Sequence, residues 1–169
     1  PVVNPDANGN AWFIKKLTKV YTSDQEIQAL EELDTKNVAV INATKFPKIN
    51  ALDFQTDSLS TITLKNYEPN HLTYTATNSN SGLAVFSEMY YEKGWNAYID
   101  GKLSPYFKVD YALRALEIPA GKHQIDFKFE PKVIKTGSTI VLASTTLLGI
   151  LILGALGFSF WRFKNSKKE

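Results

Sequence analysis

The sequence contains no cysteine, two histidines and one methionine. Without cysteine there is no disulfide framework, no thiolate nucleophile and no cysteine-held metal centre. That lack does not exclude export, because it removes only one positive sign of an oxidising compartment. His71 and His123 each stand beside a turn, with no second ligand at metal spacing, so no metal, cofactor or general base is expected from them. A Gly-x-Ser-x-Gly elbow and a phosphate-binding glycine loop are missing too. With 19 basic and 17 acidic residues, the chain lacks the basic face that nucleic acid requires. Internal repeats and low-complexity tracts are also absent.

Charge itself is missing from residues 136–161, which are almost wholly apolar or small. A helix rising ~1.5 Å per residue needs about 20 apolar residues to cross a hydrocarbon core of about 30 Å. This run is long enough to span with residues left for tilt, so the lipid bilayer is an expected partner. A buried core helix would need covering on all sides, which the rest of so short a chain cannot supply. Gly149, Gly154 and Gly157 fit ordinary membrane-helix glycine usage as well as a small-residue packing face.

The flanking charges give a direction. Residues 1–137 carry 15 basic and 16 acidic groups, whereas Arg162, Lys164, Lys167 and Lys168 follow the apolar run against Glu169 alone. Basic residues next to a span stay cytoplasmic. The expected localisation is therefore the bacterial cytoplasmic membrane, with the main domain extracytoplasmic and the C-terminus inside. Phe160, Trp161 and Phe163 fall at the expected inner interface. The chain opens Pro1-Val-Val-Asn-Pro, with no basic or apolar leader pattern. An outside domain with that opening leads to the expectation of upstream transmembrane segments in the same protein, with a removed signal as the alternative. A tail-anchored cytosolic domain is the rival, and it would have to carry four basic groups across the membrane.

What the rest contains is β-rich. Aromatic residues make up 12% of the chain, and Thr, Val and Ile are plentiful. Residues 11–20 read as a strand, Ser23-Asp24-Gln25-Glu26 as a capping box opening a short helix, and residues 37–41 as a second strand. From Leu59 the pattern alternates with period two, broken by turns at 68–71, 78–82, 100–101 and 119–122. Asp100-Gly101 is a strong two-residue hairpin signal, since both positions tolerate positive φ. The expected fold class is α+β, mainly β. A small N-terminal β-α-β unit with its linker fills residues 1–58, and an antiparallel β-sandwich or jelly-roll fills 59–135. A transmembrane helix at 136–162 and a basic tail at 163–169 complete the chain.

The stretch from Glu88 through Gly94-Trp95 to Asp100-Gly101-Lys102 carries a recognisable pattern. It continues with Tyr111-Ala-Leu-Arg114, Pro119-Ala-Gly121-Lys-His123 and Phe127-Lys-Phe129-Glu-Pro131, and Asn8-Gly-Asn-Ala-Trp12-Phe precedes it. Together these resemble the C-terminal region of the YfhO family. That family comprises large polytopic bacterial membrane proteins related to GT-C glycosyltransferases, which take a sugar from a polyprenyl-phosphate donor at the outer membrane face. The resemblance implies an extracytoplasmic accessory domain plus a last spanning helix, with glycan or polyprenyl-phosphate sugar as partner. The catalytic acidic residue of GT-C enzymes lies in a first external loop that is not in this sequence, so no catalytic residue is carried over.

The carboxylates fit structural positions better than a catalytic pair: Asp100 a hairpin turn, Glu88 and Glu92 a solvated strand end. For ligand binding the candidates are Tyr90, Tyr91, Tyr98 and Arg114, within an aromatic group that also includes Trp95 and Tyr106. Tyrosine faces stack on sugar rings, and a guanidinium binds carboxylate or phosphate through two bonds. Trp95 shares its face with Ala97 and Ile99 and reads as core. Arg114 reads equally as a partner of Asp110 or Asp100 that holds the sheet together. The alternative function is a single-anchor cell-envelope module for carbohydrate binding or assembly.

Overall fold

In a computed structural model, Asn4 and residues 7–166 are described, and they form two compact units, one up to Glu130 and one from Pro131. The first unit is built on two antiparallel sheets. A four-stranded sheet has the order β1 (Ala11–Ile14), β6 (Gly82–Met89), β10 (Leu113–Ile118), β9 (Phe107–Val109). A five-stranded sheet has the order β4 (Thr61–Glu68), β5 (His71–Asn78), β11 (Gly121–Phe129), β7 (Trp95–Ile99), β8 (Lys102–Ser104). The fold is mainly β, as the alternating pattern from Leu59 onwards implied.

Period-two alternation is clearest where one face meets water. In β5 the residues Leu72, Tyr74 and Ala76 are buried, while Thr73 and Thr75 between them are only half-buried. Opposite them, Ile125 and Phe127 of β11 pair with Tyr74 and Leu72. Phe86 of β6 meets this set from the other sheet, edge-on to Phe127 at 4.9 Å and to Tyr74 at 5.0 Å. Edge-to-face rings at this spacing add attraction beyond their buried area.

Strand β6 departs from alternation: Leu83, Ala84, Val85 and Phe86 are all fully buried. The four-stranded sheet is covered on both faces, as a continuous apolar run implies. Ala84 and Phe86 face the sandwich core, whereas Leu83 and Val85 face a second core with Ile14, Leu17, Ala39 and Ile41. That second layer is the small parallel pair β2 (Lys16–Val20) and β3 (Val38–Asn42), connected by α1 (Ser23–Gln28).

Two local details differ from the sequence expectation. Residues 11–20 are two strands in two sheets, because β1 pairs with β6 and β2 with β3. The helix cap is Thr22 rather than Ser23: its hydroxyl accepts from the Gln25 amide, and the Gln25 side-chain oxygen accepts from the Tyr21 amide. The helix stops at Gln28, which leaves Leu30 in the following turn and Leu33 outside regular structure.

Two of the turns are conformationally demanding. Asp100 and Gly101 have φ of 49° and 77°, so the β7–β8 hairpin takes the positive-φ form that its sequence signalled. Asp110 and Tyr111, joining β9 to β10, also have positive φ, at 49° and 66°. That conformation is costly for tyrosine, and the second layer holds it. Asp110 exchanges hydrogen bonds with Val40 of β3: its carboxylate accepts from the Val40 amide at 2.8 Å, and its own amide donates to the Val40 carbonyl at 2.9 Å. The Tyr111 amide donates to the carboxylate of Glu26, a fully buried residue on α1, at 3.2 Å. Lys108 approaches the other Glu26 oxygen at 3.8 Å.

The second unit is α2 (Lys132–Ser166), whose Thr136–Ser159 stretch is long and apolar enough to cross a membrane. Its 24 residues rise about 36 Å, enough for a hydrocarbon core of about 30 Å. The expected interfacial aromatics Phe160, Trp161 and Phe163 and the basic tail fall outside the residues whose side chains are described.

Burial pushes the Asp110 carboxyl up to about 6, with the Glu26 charge adding to the rise and the Val40 amide opposing it. A carboxyl whose pKa is raised on folding holds its proton more tightly in the folded state. Its stabilising effect is complete at low pH and is lost as pH rises from about 4 to about 6. Asp110→Asn keeps an acceptor for Val40 and tolerates positive φ. Denaturant unfolding across pH should show a flattened slope in that window and about 1 kcal/mol more stability at pH 7.5.

Candidate functional site

The sandwich is open on one side. Strands β8 and β9 end their respective sheets, and the chain crosses from one to the other through Pro105 and Tyr106. These two edges do not pair with each other, so the crossing divides the opening into two clefts that share Ser104 and Pro105. One, of about 480 Å³, is lined by Lys48, Ile49, Ile99, Phe107 and Glu117 among others. The other, of about 450 Å³, has walls of Tyr90, Trp95, Ala97 and Tyr106, with Glu92, Asn96 and Ser104 as polar groups. Both have the size of small-molecule sites, and the second has the aromatic lining.

Its aromatic wall is fixed from behind. Tyr90 lies 5.2 Å from Tyr106 and edge-on to Phe46 at 5.9 Å, and its amide donates to the Ala112 carbonyl. The Tyr106 hydroxyl stands 3.0 Å from the Tyr91 carbonyl and 3.1 Å from the Trp95 carbonyl, one proton serving two acceptors. That hydroxyl ties down both ends of the 91–95 loop. Burial pushes the Tyr106 phenol up to about 12; the Tyr90 and Glu92 charges add to this and Arg114 opposes it. Tyr90 is raised by burial and then by Glu92. The phenols therefore stay protonated at neutral pH, and Glu92 is the carboxyl of the cleft.

Arg114 lies behind this wall, only 2% exposed. Its guanidinium stacks 4.4 Å from the Trp95 ring centroid and 5.1 Å from that of Phe127, and Nε donates to the Met89 carbonyl at 2.9 Å. Nη1 is buried and meets no acceptor among the described residues. Burial lowers its pKa from the usual value, while Tyr106 and Glu88 favour the charged form. An irregularity in the β6–β10 register between Leu113 and Arg114 accompanies this placement. The expected pairing with Asp110 or Asp100 is not what the structure has: Asp110 is held by Val40, and Asp100 accepts from His123 and the Gln124 amide. Hydrogen bonding from His123 lowers Asp100 and raises His123 in return. His71 likewise lies 2.7 Å from Asp126, a residue lowered overall because hydrogen bonds from Gln124, His71 and Thr73 outweigh its burial.

The four candidate ligand residues thus fall in separate places. Tyr90 lines the cleft, and Tyr91 is exposed beside it. Arg114 is in the core behind Trp95. Tyr98 is on the outer face of the five-stranded sheet, where its hydroxyl donates to Glu130 at 2.6 Å. Trp95 packs against the core while its edge borders the cleft. Tyr106, part of the expected aromatic group, lines the cleft, whereas Glu92, Asn96 and Ser104 were missed as lining residues. The available signal was Pro105 after β8, which stops a ladder and sends the chain to the other sheet.

The fold and site define a class: a two-sheet β-sandwich with an aromatic-lined open edge, followed by one helix suited to crossing a membrane. The family described as "Bacterial membrane protein YfhO" matches residues 20–141, and the chain belongs to it. No curated protein and no solved structure matches the chain.

A buried guanidinium between two rings is tolerated for its flat stacking, which an ammonium lacks. Arg114→Lys should therefore destabilise the sandwich by about 2 kcal/mol or more, whereas Arg114→Met, which removes the buried charge and keeps the volume, should cost less than about 1 kcal/mol. Denaturant midpoints of the two variants give the comparison.

Proposed function

We propose that residues 7–130 are a non-catalytic extracytoplasmic accessory domain. In this proposal it positions an acceptor glycan or a lipid-linked sugar for a polytopic membrane protein resembling polyprenyl-phosphate-sugar-dependent glycosyltransferases. The observation that carries the sugar-handling part is the cleft of Tyr90, Trp95 and Tyr106 with Glu92, Asn96 and Ser104 at its rim. Aromatic walls suit the apolar face of a pyranose, and a few convergent polar groups suit its hydroxyls. Glu92 is the single carboxyl among the lining residues, whereas glycoside hydrolysis calls for two held at a set separation. Binding without bond cleavage is the chemistry that this set supports. The outside placement is supported by the basic residues after the apolar run, and the polytopic parent by family membership.

In this picture a cell-wall or lipid-linked glycan binds the full chain in nanodiscs, and Tyr90→Ala weakens it about tenfold. Tyr98→Ala, on the outer face, leaves affinity unchanged. Absence of binding at millimolar glycan would sink the sugar-handling role. For the orientation, the lack of native cysteine makes Asn80→Cys a clean probe: a membrane-impermeant maleimide should label it in intact spheroplasts. Labelling only after permeabilisation would place the domain inside.

A further inference from the structure

One end of the sandwich carries more exposed aromatic residues than the other, where Leu59 and Leu103 are the exposed apolar side chains. The turns at 79–81, 100–101 and 119–121 form one end and present small and polar residues. At the opposite end stand Tyr67, Met89, Tyr91 and Phe129, respectively 62%, 73%, 52% and 37% exposed. They belong to one surface. Phe129 pairs with Trp95, and its amide donates a hydrogen bond to the Asn70 carbonyl in the β4–β5 turn. Tyr67 is two residues before that carbonyl's nearest neighbour in the turn, paired with Leu72. The Met89 carbonyl accepts from Arg114, which stacks on Trp95, and the Tyr91 and Trp95 carbonyls both face the Tyr106 hydroxyl. Large apolar side chains gathered at strand ends and in the loop between them mark a contact surface rather than scattered exposure.

The chain itself selects the occupant. Strand β11 ends at this end with Phe129, and the apolar stretch of α2 begins at Thr136. Seven residues reach at most about 25 Å even when fully extended. Whatever the angle between the two units, covalent continuity keeps this end close to the surface of the bilayer that the apolar stretch enters. Tyrosine is favoured at that interface, where a ring meets acyl chains and a hydroxyl meets headgroups. The charges around the end are mixed and mainly acidic, with Glu68, Glu88, Glu92 and Glu130 against Lys93 and Lys128. This is no polybasic patch, so anionic lipid is not the attraction.

We infer that this end, through Tyr67, Met89, Tyr91 and Phe129, rests in the headgroup region of the membrane that α2 enters. The domain then does not swing freely on its tether, and the cleft beside Tyr90 is held at membrane height. The contact is independent of whether the cleft takes sugar.

The test uses the full chain in vesicles, with single cysteines carrying an environment-sensitive dye. Tyr67→Cys, Met89→Cys and Tyr91→Cys should show blue-shifted emission. Lipids spin-labelled at headgroup level should quench them several-fold more than Asn80→Cys and Lys102→Cys at the other end. Raising the anionic lipid fraction should change little. Adding Tyr67→Ser and Tyr91→Ser to Met89→Cys should reduce its quenching, with near-UV circular dichroism confirming the fold. Equal quenching at both ends would show a freely tumbling domain and overturn the inference. A blue shift without lipid quenching would show a protein partner or second copy covering the end, with the same consequence.

Discussion

The structure depends on one strand being buried on both faces. Leu83, Ala84, Val85 and Phe86 of β6 are fully buried, and their alternate side chains feed two different cores. Fully burying a Leu, Val or Phe side chain stabilises by about 1.5–3 kcal/mol, and β6 achieves this in both directions at once. The consequence is a layered order in which the five-stranded sheet and the β2–α1–β3 layer are both assembled on the four-stranded sheet. β1 crosses into that sheet beside β6 because Ile14 must reach the second core while Phe13 packs on the first. The two layers therefore share a strand environment rather than meeting as separate bodies.

Polar groups enter this apolar frame only where backbone needs them. Glu26 and Asp110 are placed against amides that no ladder satisfies: the outer edge of β3 at Val40 and the strained turn at Tyr111. An amide left buried and unpaired would cost about 1–3 kcal/mol, so the carboxylates replace a missing strand. Arg114 does the corresponding work at the other core, capping the Met89 carbonyl where the β6–β10 register shifts. Its charge is spread over Trp95 and Phe127 instead of being matched by a carboxylate. The arrangement explains why an arginine, and not a lysine, stands between Leu113 and Ala115.

The sequence exposed those parts of the fold whose physics is local. Alternation in β5 and β11, the Asp100-Gly101 turn and the long uncharged run are each set by neighbouring residues, and each was legible. The family resemblance rested on the same stretches. What was not legible was set by partners distant along the chain. The break between Ile14 and Lys16 depends on which sheet each half joins, and nothing in a string of apolar and basic residues states that. The burial of Glu26 depends on a turn 85 residues away. Arg114 looked like a ligand residue or an ion pair because its real neighbours, Trp95 and Phe127, lie on two strands of the opposite sheet. The cleft was half visible: the tyrosines were recognisable, but Tyr98 and Tyr90 could not be assigned to different surfaces before strand pairing was known.

The 91–95 loop connects these observations. One hydroxyl, that of Tyr106, faces two of its carbonyls, and Phe129 stacks on Trp95 at 5.5 Å beside Gly94. A side chain at Gly94 would meet the Phe129 ring at 2.2 Å, so the close approach itself requires glycine there. The inner side of this loop forms the cleft wall, and its outer side forms the aromatic end. Rigid, pre-formed surfaces lose less entropy on contact than mobile loops. The loop is braced at the Tyr91 and Trp95 carbonyls by Tyr106 and at the Gly94 carbonyl by the Glu130 amide.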